Sequence, residues 1–148
     1  MNKKGVTLIE LIVVMVIIAI GATLAIPSIA AWLPNYRLRT ATRDIVSTMR
    51  TAQMKAVSTN LEHRVQFNGE GGSYILQRRT TAGVWVDDGV DQTIPSGIRF
   101  HEINLVDNRA EFNPNSTSSS GNVTLRNKRD REKRIVLFAA TGRIRVEE

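Results

Sequence analysis

The chain of 148 residues contains no cysteine. That absence excludes a disulfide scaffold, a thiolate metal centre and a cysteine nucleophile. A domain without such staples must be held by hydrophobic packing. Aromatic residues are scarce, at 5%, so a core has to lean on Val, Ile, Leu and Ala. The two histidines, His63 and His101, are far apart and supply at most part of a metal site. No catalytic constellation is visible. Glu62-His63 lacks a third member, and Gly69, Gly71 and Gly72 lie between strand patterns rather than opening a helix, which argues against a phosphate loop. No internal repeat is present. The expectation is a protein that is not an enzyme, with no catalytic residue, metal or cofactor. His63 reads as a strand surface residue. The length allows one domain plus an attached segment.

Charge is missing too, over one long stretch. From Leu11 to Tyr36 there is no charged residue, and Leu11 to Ile26 is almost purely aliphatic. A helix of about 20 such residues spans a hydrocarbon core of ~30 Å. Lys3 and Lys4 precede it, which sets the N-terminus in the cytoplasm and the remainder on the far side. Three readings fit: a signal peptide, with Ser28-Ile29-Ala30 as a cleavage site; a plain membrane anchor; or a processed leader followed by a membrane helix. Glu10 inside the segment argues against the first, because a carboxylate in lipid is costly.

The third reading is carried by residues in register. Lys3-Lys4-Gly5, then Thr7-Leu8-Ile9-Glu10-Leu11, then Pro27, resemble the leader and N-terminal helix of type IV prepilins. The resemblance implies a prepilin peptidase that cuts between Gly5 and Val6, followed by N-methylation of Val6. Val6 departs from the phenylalanine usual at that place. The resemblance further implies that Glu10 neutralises the α-amino group on Val6 of a neighbouring subunit. Such a buried pair is expensive to form and more expensive to break, so it acts mainly to set register. A protonated or snorkelling carboxyl is the plain alternative for Glu10.

Beyond Leu33 the pattern is helical to Thr59. Leu38, Ala41, Ile45, Met49, Ala52 and Ala56 recur at spacings of three and four, while Arg39, Arg43, Ser47, Arg50 and Lys55 fall largely elsewhere and read as a solvated face. Pro27 and Pro34 can each kink this helix. From Val6 to Thr59 it would run roughly 80 Å at 1.5 Å per residue, too long for a small domain. After Asn60 short alternating runs take over: Arg64–Phe67, Ser73–Arg79, Val84–Val86, Ile98–Val106, an edge strand at Ala110–Phe112, Val123–Leu125, Ile135–Ala139 and Arg143–Val146. Asn113 to Gly121 reads as a mobile Ser/Asn/Pro loop. Short strands at this spacing indicate antiparallel sheet. The predicted fold class is α+β, a long N-terminal helix packed through its second half on an antiparallel sheet.

The formal net charge is +6, and it is clustered. Between Arg126 and Arg145 lie Arg126, Lys128, Arg129, Arg131, Lys133, Arg134, Arg143 and Arg145 against only Asp130 and Glu132. Such a surplus suggests an anionic partner. Thr141-Gly142 reads as a hairpin turn, after which Arg143 and Arg145 share one face of a strand and Ile144 and Val146 the other. Two arginines beside the Arg126–Arg134 stretch would grip successive phosphates of DNA without reading sequence. Charge that guards a strand edge, a self-paired loop and a lipid-headgroup patch are equally plain readings.

The helix, the strands, Phe112-Asn113-Pro114, Gly121, Ile135-Val136-Leu137-Phe138 and Thr141-Gly142-Arg143-Ile144-Arg145 together resemble GspH/FimT-type minor pilins and pseudopilins. In DNA-binding members of that family a Gly-Arg-x-Arg motif carries the binding, and Gly142, Arg143 and Arg145 match it. The organisation expected is a leader at 1–5, a transmembrane and filament-core helix at 6–31, and a periplasmic pilin-like domain at 32–148. The expected location is the bacterial inner membrane and then a filament. Expected partners are a prepilin peptidase, other pilins or pseudopilins, the inner membrane and DNA. Two functions stay open: a structural or assembly subunit of a type II secretion pseudopilus or type IV pilus, and a dedicated DNA-binding minor pilin of natural transformation.

Overall fold

The computed structural model describes residues 5–148, except for the side chains of residues 24–30. Lys3 and Lys4 of the expected leader lie outside the described residues. The chain divides into two units, one ending at Leu33 and one spanning Pro34–Glu148. Helix α1, Leu8–Thr59, contributes to both.

In the first unit Thr7 begins the helix. Its Oγ1 accepts a hydrogen bond at 3.3 Å from the backbone N–H of Glu10. Thr-x-x-Glu is the signature of a capping box, and the first-turn carboxylate also complements the positive end of the helix dipole. Val6, Leu8, Ile9 and every large apolar residue from Leu11 to Ile18 are exposed, as is Ile20. Among the described residues no helix is long and apolar enough to cross a membrane. The span expected at 6–31 includes residues 24–30, whose side chains are not described. Helical assignment continues through Pro27 and Pro34.

In the second unit α1 carries the apolar stripe expected from its spacing. Leu38, Ala41, Ile45, Met49, Ala52 and Ala56 are all buried, joined by Thr42 and Val46. The alanines let the helix approach the strands closely. The helix stops where Asn60 turns left-handed at φ 55, a conformation asparagine tolerates just past a helix end.

The strands are β1 His63–Asn68, β2 Ser73–Arg79, β3 Trp85–Asp87, β4 Gln92–Thr93, β5 Ile98–Asn104, β6 Arg109–Phe112, β7 Gly121–Asn127, β8 Glu132–Phe138 and β9 Arg143–Glu147, with a short 3-10 turn at Val106–Asn108. They form two antiparallel sheets instead of one. The first has the order β3-β2-β1-β6 with β4 also on β2, and the second has the order β5-β7-β8-β9. Both contribute to one core: Val65, Phe67, Tyr74, Leu76, Ala110 and Phe112 from the first, and Val123, Leu125, Ile135 and Leu137 from the second, with the helix stripe.

Two expectations are corrected. His63 is buried rather than on the surface. Its Nδ1 donates to the Leu61 carbonyl at 2.9 Å, and its Nε2 lies 3.6 Å from Asp88 Oδ2, which also accepts from Lys55 Nζ at 2.7 Å. The alternation of β1 points His63, Val65 and Phe67 the same way, which a period-2 reading begun one residue earlier would have caught. The 113–121 loop, read as mobile, is tied down. Asn113 N–H donates to the Thr117 carbonyl, Ser118 N–H to Ala139 and Ser119 N–H to Glu111, each at 2.9 Å. Those bonds join the end of β6 to the end of β8, so the loop links the two sheets.

Candidate functional site: the basic strands and the N-terminal segment

The basic residues singled out by sequence sit on β7, β8, β9 and their turns, and pairing register decides which of them meet. Across β8 and β9, Phe138 faces Arg143, Val136 faces Arg145 and Arg134 faces Glu147. Arg143, Arg145 and Arg134 therefore share the outer face, while Ile144 and Val146 sit opposite the buried Leu137 and Ile135. The alternation expected for β9 is present. Arg143 and Arg145 are both exposed. Arg145 Nε lies 3.6 Å from Glu147 Oε1, too long for a hydrogen bond. Among the described residues no carboxylate forms an ion pair with Arg143.

Gly142 seats this strand. Its φ of 59 is left-handed, and a Cβ there would meet Gln53 Nε2 at 2.5 Å and the Ser116 carbonyl oxygen at 2.6 Å. Only glycine fits between the helix, the 113–121 loop and the turn. The glycine of the matched motif thus fixes where Arg143 emerges.

The rest of the basic stretch is not brought to Arg143. The β7–β8 turn lies at the opposite end of β8, six residues from Phe138, or about 20 Å at 3.3 Å per residue. Asn127, buried at the end of β7, builds this turn. Its Oδ1 accepts from the N–H groups of Arg129 at 2.9 Å and Arg131 at 3.0 Å, and its Nδ2 donates to Asn35 Oδ1 at 3.1 Å. An Asx-type turn is readable in Asn-x-x-Asp, a signal the charge count concealed. Lys128, Arg129 and Arg131 are exposed on it.

Two further cations are already engaged. Arg126 Nε donates to Glu132 Oε1 at 2.6 Å, and Arg126 Nη2 donates to His101 Nε2, also at 2.6 Å. His101 meets Arg126 at the irregularity of β5 between Phe100 and Glu102. The hydrogen bond from Arg126, with the nearby positive charge, holds the Glu132 carboxyl below the ordinary carboxylate range. Lys133 points the other way, into the space beside α1, and its Nζ donates to Glu148. That contact, and the charges of Arg39 and Arg131, hold the Glu148 carboxyl low as well. The expected continuous basic patch is therefore divided. The outer face carries Arg134, Arg145 and Arg143, with the Glu132-bound Arg126 and its neighbour Arg99 farther along it, and Lys133 turns inward.

At the other end of the chain, Gly5 has no atom within 4 Å of a Cβ built on it. Val6 is 71% exposed, and Glu10 is exposed in the first helical turn.

Residues 1–26 match the prokaryotic N-terminal methylation motif, and residues 41–142 match the family model described as Type II transport protein GspH. No curated protein matches the chain. The fold is similar to the minor pseudopilin EpsH from the type 2 secretion system of Vibrio cholerae. One structure of EpsH has a TM-score of 0.64 at 10% identity, covering 75% of this chain and 96% of that one. A second crystal structure of EpsH has a TM-score of 0.60 at 10% identity, covering 77% and 94%. At that identity the likeness speaks to fold, and it agrees with the α+β architecture built above. The family match extends over more than half of the chain, from Ala41 in the helix stripe through β8 to the Gly142 turn: the protein is type IV pilin-like and belongs to the GspH family.

Proposed function

We propose that this chain is a minor pseudopilin, an inner-membrane subunit that a prepilin peptidase trims after Gly5 and that then packs into a type II secretion pseudopilus. The observation that carries this reading is the N-terminal segment. From Val6 to Ile20 its large apolar side chains are exposed on all sides of a helix, and a helix apolar all round needs lipid or other helices as its surroundings. Family membership and the EpsH-like fold support the choice of machine. In the filament, Glu10 would sit against the α-amino group of a neighbour's Val6 and set the axial register. Within its own helix Glu10 contributes its backbone N–H to the Thr7 cap, which leaves its carboxylate for the charge pairing between helices. The test is recovery. Expressed with the other pseudopilins and the peptidase of its secretion system, the chain is expected in the sheared filament fraction in amounts well below the major subunit. Its retention entirely in the membrane fraction would contradict the proposal.

A second reading, DNA binding in natural transformation, rests on Arg143 and Arg145 standing exposed beside a Gly142 that cannot be replaced. The split of the basic stretch weighs against it: Arg99 and Arg126 share the outer face with Arg134, Arg143 and Arg145, but Arg126 is already held by Glu132, and the turn cations lie elsewhere. If the reading holds, binding to duplex DNA weakens with salt at a slope of about −0.9 per phosphate contact, so a footprint of two or three contacts gives a slope near −2 to −3 on that scale. The Arg143→Ala/Arg145→Ala variant should then lose most of both affinity and slope. Binding unchanged in that variant removes the motif from the account, and no binding at low salt leaves the structural subunit alone.

A further inference from the structure

Between α1 and the edge strand β9 runs a trough of about 550 Å³, lined by Arg39, Arg43, Arg50, Lys133, Val146 and Glu148. A second hollow of about 430 Å³ shares Arg39, Lys133 and Glu148 with it and extends it to Arg131, where Asp130 and Glu132 also line it; the acidic segment is therefore placed along the first hollow. The helical arginines, which the sequence pattern assigns to a solvated face, thus form one wall of a groove. Among the described residues none of Arg39, Arg43 and Arg50 is in an ion pair. The only carboxylate on the first hollow's lining is Glu148, which accepts from Lys133 where the two hollows meet. Among the described residues β9 pairs on one side only, with β8, so its other edge offers backbone N–H and C=O groups beside the groove.

We propose that this groove docks an acidic, extended segment of a partner protein, which adds as a strand to the free edge of β9 and places alternate carboxylates against Arg39 and Arg43, with Arg50 at the far end of the wall. Charge complementarity argues for that occupant, and so does the spacing of Arg39 and Arg43. Arg39 and Arg43 are about 6 Å apart along the helix axis at 1.5 Å per residue, and alternate side chains on a strand repeat at nearly the same interval, about 6.6 Å. From Arg39 to Arg50 the wall is about 16 Å long, the reach of roughly five extended residues. Val146 and the buried Val46 and Thr42 give the trough an apolar floor, which suits an acidic segment with apolar residues between its carboxylates. A trough of this size admits a single extended chain and not a duplex. Backbone pairing supplies affinity in such strand addition, and side-chain pockets supply selectivity. Glu148 already places one carboxylate in the groove, and an incoming segment displaces it from Lys133. The surface is separate from the outer-face row of Arg134, Arg145 and Arg143.

The test uses the full chain in neutral detergent and a fluorescent eight-residue peptide of alternating glutamate and valine. A glutamine–valine version of the peptide and a duplex DNA serve as comparisons. The acidic peptide is expected to bind about tenfold or more tightly than the glutamine version, because charge-assisted hydrogen bonds are the strong ones. Arg39→Ala/Arg43→Ala/Arg50→Ala should lose that preference, Arg143→Ala/Arg145→Ala should keep it, and Glu148→Gln should strengthen binding. The peptide comparison on the unaltered chain decides the matter even if the triple variant does not fold. Equal binding of the two peptides, or preference unchanged in a folded triple variant, overturns the proposal. So does finding that these three arginines govern binding of duplex DNA and not of the peptide.

Discussion

Gly121→Ala is expected to lower the stability of the folded domain by about 2–4 kcal/mol, from strain and overpacking together. Gly121 opens β7 at φ 153. A Cβ there would lie 2.1 Å from the Asn104 carbonyl oxygen and 2.6 Å from Leu105 Cδ2. The first contact is with backbone at the end of β5, which pairs with β7 and cannot swing aside as a side chain would. Leu105 is itself buried in the core, so relief in that direction opens a void. Against a total stability of about 5–15 kcal/mol, this is a large fraction. Denaturant unfolding should show a lower midpoint at an unchanged slope. Gly89→Ala is the comparison. Its Cβ would meet only Leu76 Cβ, at 3.7 Å, so its effect should stay within about 0.5 kcal/mol. Equal stabilities for the two variants would mean that β5 and β7 do not approach as described.

Gly5→Ala is expected to reduce leader removal about 10²-fold, the order by which misplacing a reacting bond slows a positioned reaction. The fold gives no reason for any effect, since a Cβ at Gly5 meets nothing within 4 Å. A loss of processing therefore reports recognition at the scissile bond rather than misfolding. Intact mass of the chain co-expressed with a prepilin peptidase reads the result. The parent should lack residues 1–5 and carry a methyl group on Val6, while the variant should keep the leader. Processing of the variant at the parent's rate would remove the leader reading.

The helix stripe was legible because its period is enforced by burial. All six residues picked by spacing lie in the core. Eight of the nine described strands were legible to within a few residues, and so was the Gly142 turn, because alternation and positive-φ glycine leave local marks; the two-residue β4, Gln92–Thr93, is too short to show a period and was missed. The division into two sheets was not. It depends on which strand pairs with which, and β1 pairs with both β2 and the distant β6. His63 was misplaced because histidine has no fixed preference for inside or outside, and its partner Asp88 is 25 residues away. At the candidate sites, the charge count found the cations of the Arg126–Arg145 stretch but not Arg99, which register brings beside Arg126, and it could not assign their directions. Arg126, Arg134 and Lys133 lie within nine residues of one another. One is held by Glu132, one stands on the outer face beside Arg145, and one turns inward to Glu148. Strand register, set by non-local hydrogen bonds, separates them.

The central claim is that Glu10 places this subunit in a filament by pairing with the amino group of a neighbour's Val6. Glu10→Ala tests it most directly, because the Thr7 hydroxyl still caps the helix and the exposed site leaves the folded domain untouched. Removing one partner of a buried ion pair costs about 3–5 kcal/mol. Recovery of the variant in the filament fraction, relative to the parent at equal expression and with leader removal verified by mass, should therefore fall about 10²-fold or more. Recovery equal to the parent's would contradict the account.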